Sequence, residues 1–170
     1  VAEYRSVFSS RGKEQERRFF AVDGRPVLSD DDIAGWVARF DERDRTTERT
    51  NLGLDGKPAA GRDKVVTTRS SYDARSNEVE RSFYGTSGQL LTNHENIAGW
   101  QATYDDRDRM IQQSYFGVER RPAMDLDRAS LVRFRYGERG DQVEQAYCGL
   151  DGKRAINAQG FSIWKRSYSL

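Results

Sequence analysis

The chain has 170 residues, 36% of them hydrophobic and 11% aromatic, and its 28 basic and 27 acidic residues nearly cancel. A chain of this length can bury a core of its own, and this aromatic content with only three prolines argues against disorder. The charge balance excludes a bulk attraction to nucleic acid or to an anionic membrane, and no apolar run approaches the roughly 20 residues that cross a bilayer.

An aromatic residue returns every 32 positions along the chain, without an insertion. An arginine follows three positions after each of the first five aromatics. Ten residues after that arginine comes a position that is glycine in four of the five units. Repetition at a fixed period is the signature of a repeat architecture. The aromatic series is Phe8, Phe40, Tyr72, Tyr104, Tyr136 and Tyr168. The period predicts complete units at 8–39, 40–71, 72–103, 104–135 and 136–167, with partial units at 1–7 and 168–170.

Each unit is predicted to contain two turns and two strands. The segments that end on the periodic aromatic, such as VVTTRSSY (65–72), are rich in β-branched and aromatic residues, as strands are. A four-residue turn follows, for example Asp41–Asp44, where the first aspartate bonds the backbone ahead of it. A second strand such as TTERTNLG (46–53) leads to the Asp-Gly turn at 55–58, whose glycine accepts a positive φ. About seven looser residues then lead to the next unit.

Two segments also fit a helix. In SDDDIAGWVARF (29–40) and TNHENIAGWQATY (92–104), apolar residues recur at helical spacing after a capping-type start. The same columns in other units contain VVTTRSSY (65–72) and LVRFRY (131–136), whose β-branched and aromatic residues favour a strand. Because equivalent units should share one backbone, both segments are predicted to be strands.

The predicted fold class is all-β, in the form of a repeat array. An isolated two-stranded hairpin is only marginally stable in water, so each unit has to bury its aromatic residues against its neighbours. Five 32-residue hairpin units stacked in this way form a solenoid, a spiral or an extended sheet, and all three forms stay open. We treat residues 1–170 as a single repeat domain, and the absence of a starting methionine indicates a fragment of a larger protein.

The repeated phrases resemble known hairpin repeats. YDARSNEVERSFYG (72–85), YDDRDRMIQQSYFG (104–117) and YGERGDQVEQAYCG (136–149) are similar to the bacterial tyrosine–aspartate (YD/Rhs-like) repeats and to the hairpin repeats related to MORN arrays. The resemblance implies β-hairpins wound into a spiral sheet or shell, in large bacterial surface, secreted or polymorphic-toxin proteins. It implies no active site.

The sequence contains no recognisable catalytic or metal-binding motif. His94 is the only histidine, so a catalytic triad would have to use it, and it lies in a predicted connecting segment. The run Asp30–Asp32 lacks the alternating spacing of a calcium loop, and GLDGK (53–57) lacks that of a phosphate-binding loop. The lone Cys148 excludes an internal disulfide framework and is predicted to be a small buried residue. We therefore predict a non-enzymatic protein without a metal or a cofactor.

Two repeated features are candidates for ligand or partner binding. The first is the turn arginine of each unit, which would form a regular row and suits carboxylate, phosphate or aromatic partners. A local role stays open, with each guanidinium bonded to the preceding turn aspartate or packed on the periodic tyrosine. The row comprises Arg11, Arg43, Arg75, Arg107 and Arg139.

The second candidate is a tryptophan column formed by Trp36, Trp100 and Trp164. These residues share one position in alternate units, and Thr68 and Val132 take that position in the units between. Tryptophans spaced along a repeat can stack on sugar rings or dock a protein partner. Filling of the core is the alternative role.

The predicted function is that of a protein-interaction or structural scaffold surface within a larger bacterial protein. Its partner would be another protein or another domain of the same chain. A carbohydrate or cell-surface binding module that uses the tryptophans is the first alternative, and a shell-forming segment of a toxin-type protein is the second. Nucleic-acid binding and membrane insertion are not expected. The compartment stays open between bacterial surface, secreted and cytoplasmic.

Overall fold

The computed structural model describes residues 3–167. Within this range eleven β-strands lie in chain order in an antiparallel sheet, and the all-β prediction is confirmed. These residues form no helix, and hence none that is long and apolar enough to cross a membrane. The strands are β1 (Glu3–Phe8), β2 (Glu14–Phe20), β3 (Gly35–Phe40), β4 (Thr46–Leu52), β5 (Thr67–Tyr72), β6 (Glu78–Tyr84), β7 (Gly99–Tyr104), β8 (Met110–Phe116), β9 (Leu131–Tyr136), β10 (Gln142–Cys148) and β11 (Ile163–Lys165).

The two segments with helical spacing are strands, as predicted. The first contains β3 and the second contains β7. β3 is paired along both edges: Val37 lies opposite Glu16 of β2 and opposite Thr50 of β4. A helix at this place would leave the backbone groups of both neighbouring strands without partners, and unpaired backbone groups are costly when they are shielded from water. Pairing across the sheet therefore outweighs the local spacing of apolar residues.

The turn between β3 and β4 has the predicted four-residue form. The amide of Asp41 donates to the Arg45 carbonyl over 3.0 Å, and the amide of Asp44 donates to the Asp41 carbonyl over 3.1 Å. Asp44 adopts a φ of 60°, the left-handed region that aspartate tolerates better than most residues. The Asp41 carboxylate accepts the amides of Arg43 and Arg45 and thereby closes the turn.

Asp105 holds the turn between β7 and β8 in the same way. Its Oδ1 accepts the amides of Arg107 and Arg109 over 2.9 and 3.0 Å, and its Oδ2 accepts the Arg109 Nε over 2.8 Å. The hydrogen bond from the Arg109 side chain is the main reason why the pKa of Asp105 falls to about 2. The folded chain therefore binds a proton at this carboxylate more weakly than an unfolded chain does.

This pKa predicts a specific acid sensitivity. A folded pKa below the unfolded value of about 3.9 means that the carboxylate stabilises the fold above pH 4, and that this contribution is lost as the pH falls toward 2. We expect the variant Asp105→Asn to lose less stability than the wild type between pH 4 and pH 2, measured as urea midpoints across that range. The exposed neighbour Asp106, changed to asparagine, is the matched control. Parallel curves for the wild type and Asp105→Asn would contradict the assignment.

The connection after each even-numbered strand is more ordered than predicted. Between β2 and β3, Phe20 forms a bridge with Pro26, and a further tight turn begins at Ser29. In this turn the Ser29 amide donates to the Ile33 carbonyl over 2.8 Å, and Asp32 takes a φ of 60°. The expectation of loose connecting residues is therefore wrong. The left-handed residues at the equivalent places are Lys64, Asn96 and Arg128.

Contacts between residues group the chain into two compact units. The first comprises Val1–Ser71 and Arg81–His94, and the second comprises Tyr72–Glu80 and Glu95–Leu170, each described within residues 3–167. Each unit has its own buried apolar side chains. In the first they include Ile33, Ala34, Leu52, Val65 and Val66. In the second they include Ile97, Ala98, Phe116, Val132 and Cys148.

The most deeply buried positions are largely aliphatic, whereas the sequence pointed to the periodic aromatics. The pairs Ile33–Ala34, Val65–Val66 and Ile97–Ala98, each just before an odd-numbered strand, are at most 3% exposed. Cys148 is a free, fully buried cysteine, as predicted. The residues that directly precede β3, β5 and β7 therefore form a large part of the described core.

The periodic aromatics lie half-buried or exposed near the other end of the strands. Phe8 is 59% exposed. The hydroxyl of Tyr104 donates to the Glu78 carbonyl over 2.9 Å, and that of Tyr136 donates to the Met110 carbonyl over 2.8 Å. A tyrosine keeps its polar tip bonded while its ring covers apolar surface. Tyr168 and the partial unit at 168–170 lie outside the described residues.

Candidate functional site

The predicted arginine row connects successive turns. Arg11 donates from Nη1 to the Glu42 carbonyl over 3.1 Å and to the Asp44 carboxylate over 3.3 Å. The equivalent contact of Arg75 joins its Nη1 to the Asp108 carboxylate over 3.1 Å. Both arginines therefore reach the turn of the next predicted unit, and Arg75 in addition keeps an ion pair over 4.0 Å with Asp73, the preceding aspartate of its own turn.

The remaining arginines occupy the same turn position in their units. Arg107 donates from Nη1 to the Glu138 carbonyl over 3.5 Å, and Arg43 and Arg139 are the third residues of the equivalent turns. The guanidinium groups of Arg11 and Arg75 keep part of their surface exposed. A stabilising role between turns is thus visible for three of the five arginines, and recognition of a ligand by the row stays a prediction.

The tryptophan column is engaged with arginine side chains. The guanidinium carbon of Arg49 lies 4.8 Å from the ring centroid of Trp36, and that of Arg17 lies 5.8 Å away. Arg166 lies 4.8 Å from the ring centroid of Trp164. Such cation–π contacts contribute about 0.5–1 kcal/mol at exposed sites. A sugar ring that stacked on these faces would have to compete with the guanidinium groups. Trp100 takes the equivalent position in β7.

A cavity of about 510 Å³ opens in the first unit at the junction of β4 and β5. Arg49 and Thr68, which are opposite each other in the register of these strands, both line it. Its wall also includes the solitary His94, whose side chain is exposed to solvent as predicted. The volume lies within the range of about 300–1,000 Å³ that is typical of small-molecule sites.

The cavity exists because three positions carry smaller side chains than their equivalents in other predicted units. Thr68 takes the tryptophan position, and Asn51 takes a position that is aromatic in every other unit. Gly61 is the third, and a Cβ placed there would lie 3.2 Å from the Ile33 side chain and 3.4 Å from Asn51 Nδ2. The aromatic equivalents of Asn51 are Phe19, Phe83, Tyr115 and Tyr147.

The corresponding place in the second unit is filled. There Tyr115 stands 64 positions after Asn51, and Asp125 stands 64 positions after Gly61. Burial, together with the carboxylates of Asp125 and Glu95, raises the pKa of the Tyr115 hydroxyl. Burial likewise raises the pKa of Asp125. The comparison within one chain shows that the cavity is a departure from the predicted repeat.

The electrostatics of the cavity centre on Arg49. Within residues 3–167 no hydrogen bond or ion pair to its guanidinium is present, although it stacks on Trp36. Arg49 is exposed as a residue, yet the surrounding chain removes enough water from its guanidinium to lower its pKa, and the carboxylate of Asp31 acts in the opposite direction. An arginine starts from a pKa above about 12, so the group stays charged near neutral pH. Five N–H donors therefore stand at the cavity wall.

A second feature that the sequence reasoning missed is a column of exposed aliphatic residues at turn tips. Val22 is 93% exposed, and Leu54, Val118 and Leu150 are 50–55% exposed. Each is the second residue of the turn that follows an even-numbered strand. Turn tips are ordinarily polar, so a repeated aliphatic at this place is informative. The signal was available in the sequence, because the four residues obey the 32-residue period.

In the second unit the turn tip lies at a groove with both polar and apolar lining. Leu150 lines a groove of about 410 Å³ together with Phe116, Pro122 and Leu131. Met124 approaches the same turn, since its Cε would lie 3.8 Å from a Cβ on the adjacent Gly149. The exposed side chain of Leu150 therefore stands beside a groove whose wall also carries polar residues such as Gln112 and Arg120.

The assignment of a function depends on the structural features described above. No protein-family model matches the sequence, and no curated protein matches it either.

Proposed function

We propose that the chain is an array of five 32-residue β-hairpin units that acts, without catalysis, as a protein-interaction or scaffold surface of a larger protein. The even-numbered strands begin at residues 14, 46, 78, 110 and 142, which supports the array. The observation that carries the function is the aliphatic column at the turn tips, Val22, Leu54, Val118 and Leu150. The resemblance to tyrosine–aspartate and MORN-like repeats favours the same role.

The chemistry of the column suits a protein partner. Burial of apolar surface contributes about 25 cal/mol per Å², whereas an exposed leucine or valine contributes nothing of this kind. Polar residues flank each tip, for instance Asp55 and Lys57 beside Leu54. An apolar centre with a polar rim is the usual composition of a protein interface. The carbohydrate alternative lacks a comparable observation, because arginines lie over the rings of Trp36 and Trp164.

The experiment changes the aliphatic column and leaves the strands untouched. The variant carries serine at the four tips listed above. We expect it to bind the partner recovered with the wild-type chain at least about tenfold more weakly, since each lost apolar contact costs of order 1 kcal/mol. Proteins captured on the immobilised wild-type chain are identified by mass spectrometry, and the affinity of the most enriched one is then measured by calorimetry.

A matched control carries serine at the tips of the other class of turn, at Glu42, Asp106 and Glu138. These residues are exposed to solvent as well, so the control reports nonspecific loss of surface side chains. Equal affinity of the wild type and the four-tip variant would contradict the proposed surface, and so would a partner that binds the four-tip variant normally and the control poorly.

A further inference from the structure

We propose that the cavity beside the paired strands β4 and β5 is a binding site for a small zwitterion of the α-amino-acid type, with Arg49 holding the carboxylate and Asp31 the ammonium group. The proposal goes beyond the scaffold function, since it concerns one unrepeated place in the first unit. It stands on the shape of the cavity, the charges on its wall and the comparison with the filled place in the second unit.

The shape of the cavity comes from residues that break the predicted repeat together. Asn51, Gly61 and Thr68 lie on three different segments. Asn51 and Gly61 are smaller than their equivalents 64 residues later, and Thr68 is smaller than the tryptophans of its own column, although its equivalent Val132 has a similar size. In the second unit, Tyr115 and Asp125 occupy the positions that correspond to Asn51 and Gly61. A gap in a packed array ordinarily costs stability, so three coordinated small residues indicate space kept for a ligand.

The carboxylate site is Arg49. Its planar guanidinium presents donors that match the two oxygens of a carboxylate. Stacking on Trp36 over 4.8 Å restricts where that plane can lie, so less side-chain freedom is lost when a ligand binds. Thr68, directly opposite in the strand register, places a hydroxyl on the same wall.

The ammonium site is Asp31. Its carboxylate is near enough to Arg49 to raise the arginine pKa, yet no ion pair joins the two side chains in the described part of the chain. Two opposite charges that face one cavity without contact leave room for a ligand that carries both charges. Arg62 and Asp63 on the same wall are already engaged, since Arg62 Nε lies 3.5 Å from the Asp32 carboxylate and Asp63 accepts a backbone amide. The remaining pair, Arg49 and Asp31, favours a ligand of zero net charge over a plain anion.

The remaining wall fits the rest of such a molecule. Ile33 supplies apolar surface, and Asn51 is oriented by its bond from Nδ2 to the Val65 carbonyl over 3.0 Å, which leaves its amide oxygen as an acceptor. His94 stands at the exposed margin. A site with a few placed polar groups and one apolar wall is the usual form of a small-molecule pocket.

The test begins with binding of defined probes to the full 170-residue chain. The twenty L-α-amino acids and glycylglycine are each added at about 5 mM, a concentration that detects dissociation constants in the millimolar range. We expect at least one of them to raise the melting temperature and to give a saturable calorimetric isotherm. The N-acetyl and the amide derivatives of the strongest probe each lack one charge, and we expect both to bind at least about tenfold more weakly.

Variants then locate the site. Arg49→Gln and Asp31→Asn should each weaken binding of the strongest probe at least about tenfold, and Asn51→Tyr, which introduces the residue found at the filled place, should abolish it. Arg81→Gln is the matched control, because Arg81 has the position of Arg49 in the next predicted unit and does not line the cavity. Circular dichroism and melting temperature establish that each variant is folded.

Three results would overturn the proposal. The first is the failure of all twenty-one probes to bind. The second is undiminished binding of the N-acetyl derivative, which would identify a simple anion site. The third is normal binding to Arg49→Gln, a surface change that leaves every strand intact and therefore decides the matter even if Asn51→Tyr fails to fold.

Discussion

Truncation of Ile97 to alanine is expected to lower the free energy of unfolding by about 3 kcal/mol, the middle of the range for buried aliphatic side chains. Ile97 is 2% exposed and is among the largest fully buried side chains of the described residues. Loss of its side-chain atoms would leave a void just before β7, because the surrounding packed side chains relax only partially. Urea unfolding followed by tryptophan fluorescence measures the change.

The matched control is Ile156→Ala in the same unit. Ile156 is 66% exposed, and exposed substitutions ordinarily change stability by no more than about 0.5 kcal/mol. The two variants remove the same atoms and differ only in burial. Similar losses in both would contradict the assignment of the core to the residues that precede the odd-numbered strands.

Replacement of Gly35 by alanine is expected to be at least as damaging, with a loss of about 3 kcal/mol or more. A Cβ at this position would overlap the carbonyl oxygen of Arg17 and lie 3.1 Å from the Cα of Arg18. Both atoms belong to the backbone of β2, so no side-chain rotation relieves the overlap. The strand would have to move away from β3, at the expense of the pairing between Arg18 and Gly35.

Gly117→Ala provides the comparison. A Cβ at Gly117 would meet only the Ala123 side chain, at an ordinary distance of 3.6 Å. There we expect a change between about zero and a gain of 1 kcal/mol, since alanine restricts the unfolded chain more than glycine does. Thermal and urea unfolding of the two variants side by side check the pair. A Gly35→Ala variant as stable as the wild type would show that β2 and β3 are not packed as closely as described.

The β class and the tight turns could be predicted because they depend on local signals. In the turn that begins at Asp41, the aspartate side chain accepts hydrogen bonds from the amides of Arg43 and Arg45. An aspartate at this position therefore predicts the turn from sequence alone. The β-branched residues before Tyr72 likewise predict the strand. These features involve neighbours within about five residues, so no knowledge of the remaining chain is needed.

Partners of side chains could not be predicted equally well. The arginine after each periodic aromatic was identified as a special position with a local contact as one alternative. Arg75 makes that contact with Asp73, but the bonds 31–33 residues ahead, between Arg11 and Glu42 and between Arg75 and Asp108, were not foreseen. Glu48 likewise accepts a bond from Arg69 across the strands over 2.8 Å and not from its chain neighbour Arg49, because adjacent residues on a strand point to opposite faces.

By itself, the amino-acid sequence determined that this protein is made of β-strands joined by tight turns, and where most of those turns fall. Only the tertiary structure decided that the core is mostly aliphatic and that a cavity opens beside Arg49. Its walls come from Asn51, Gly61 and Thr68, three residues that are unremarkable one at a time and meet only through strand pairing. Turns and strands follow from short-range hydrogen bonding and sterics, whereas a cavity is a property of the volume left between segments distant along the chain.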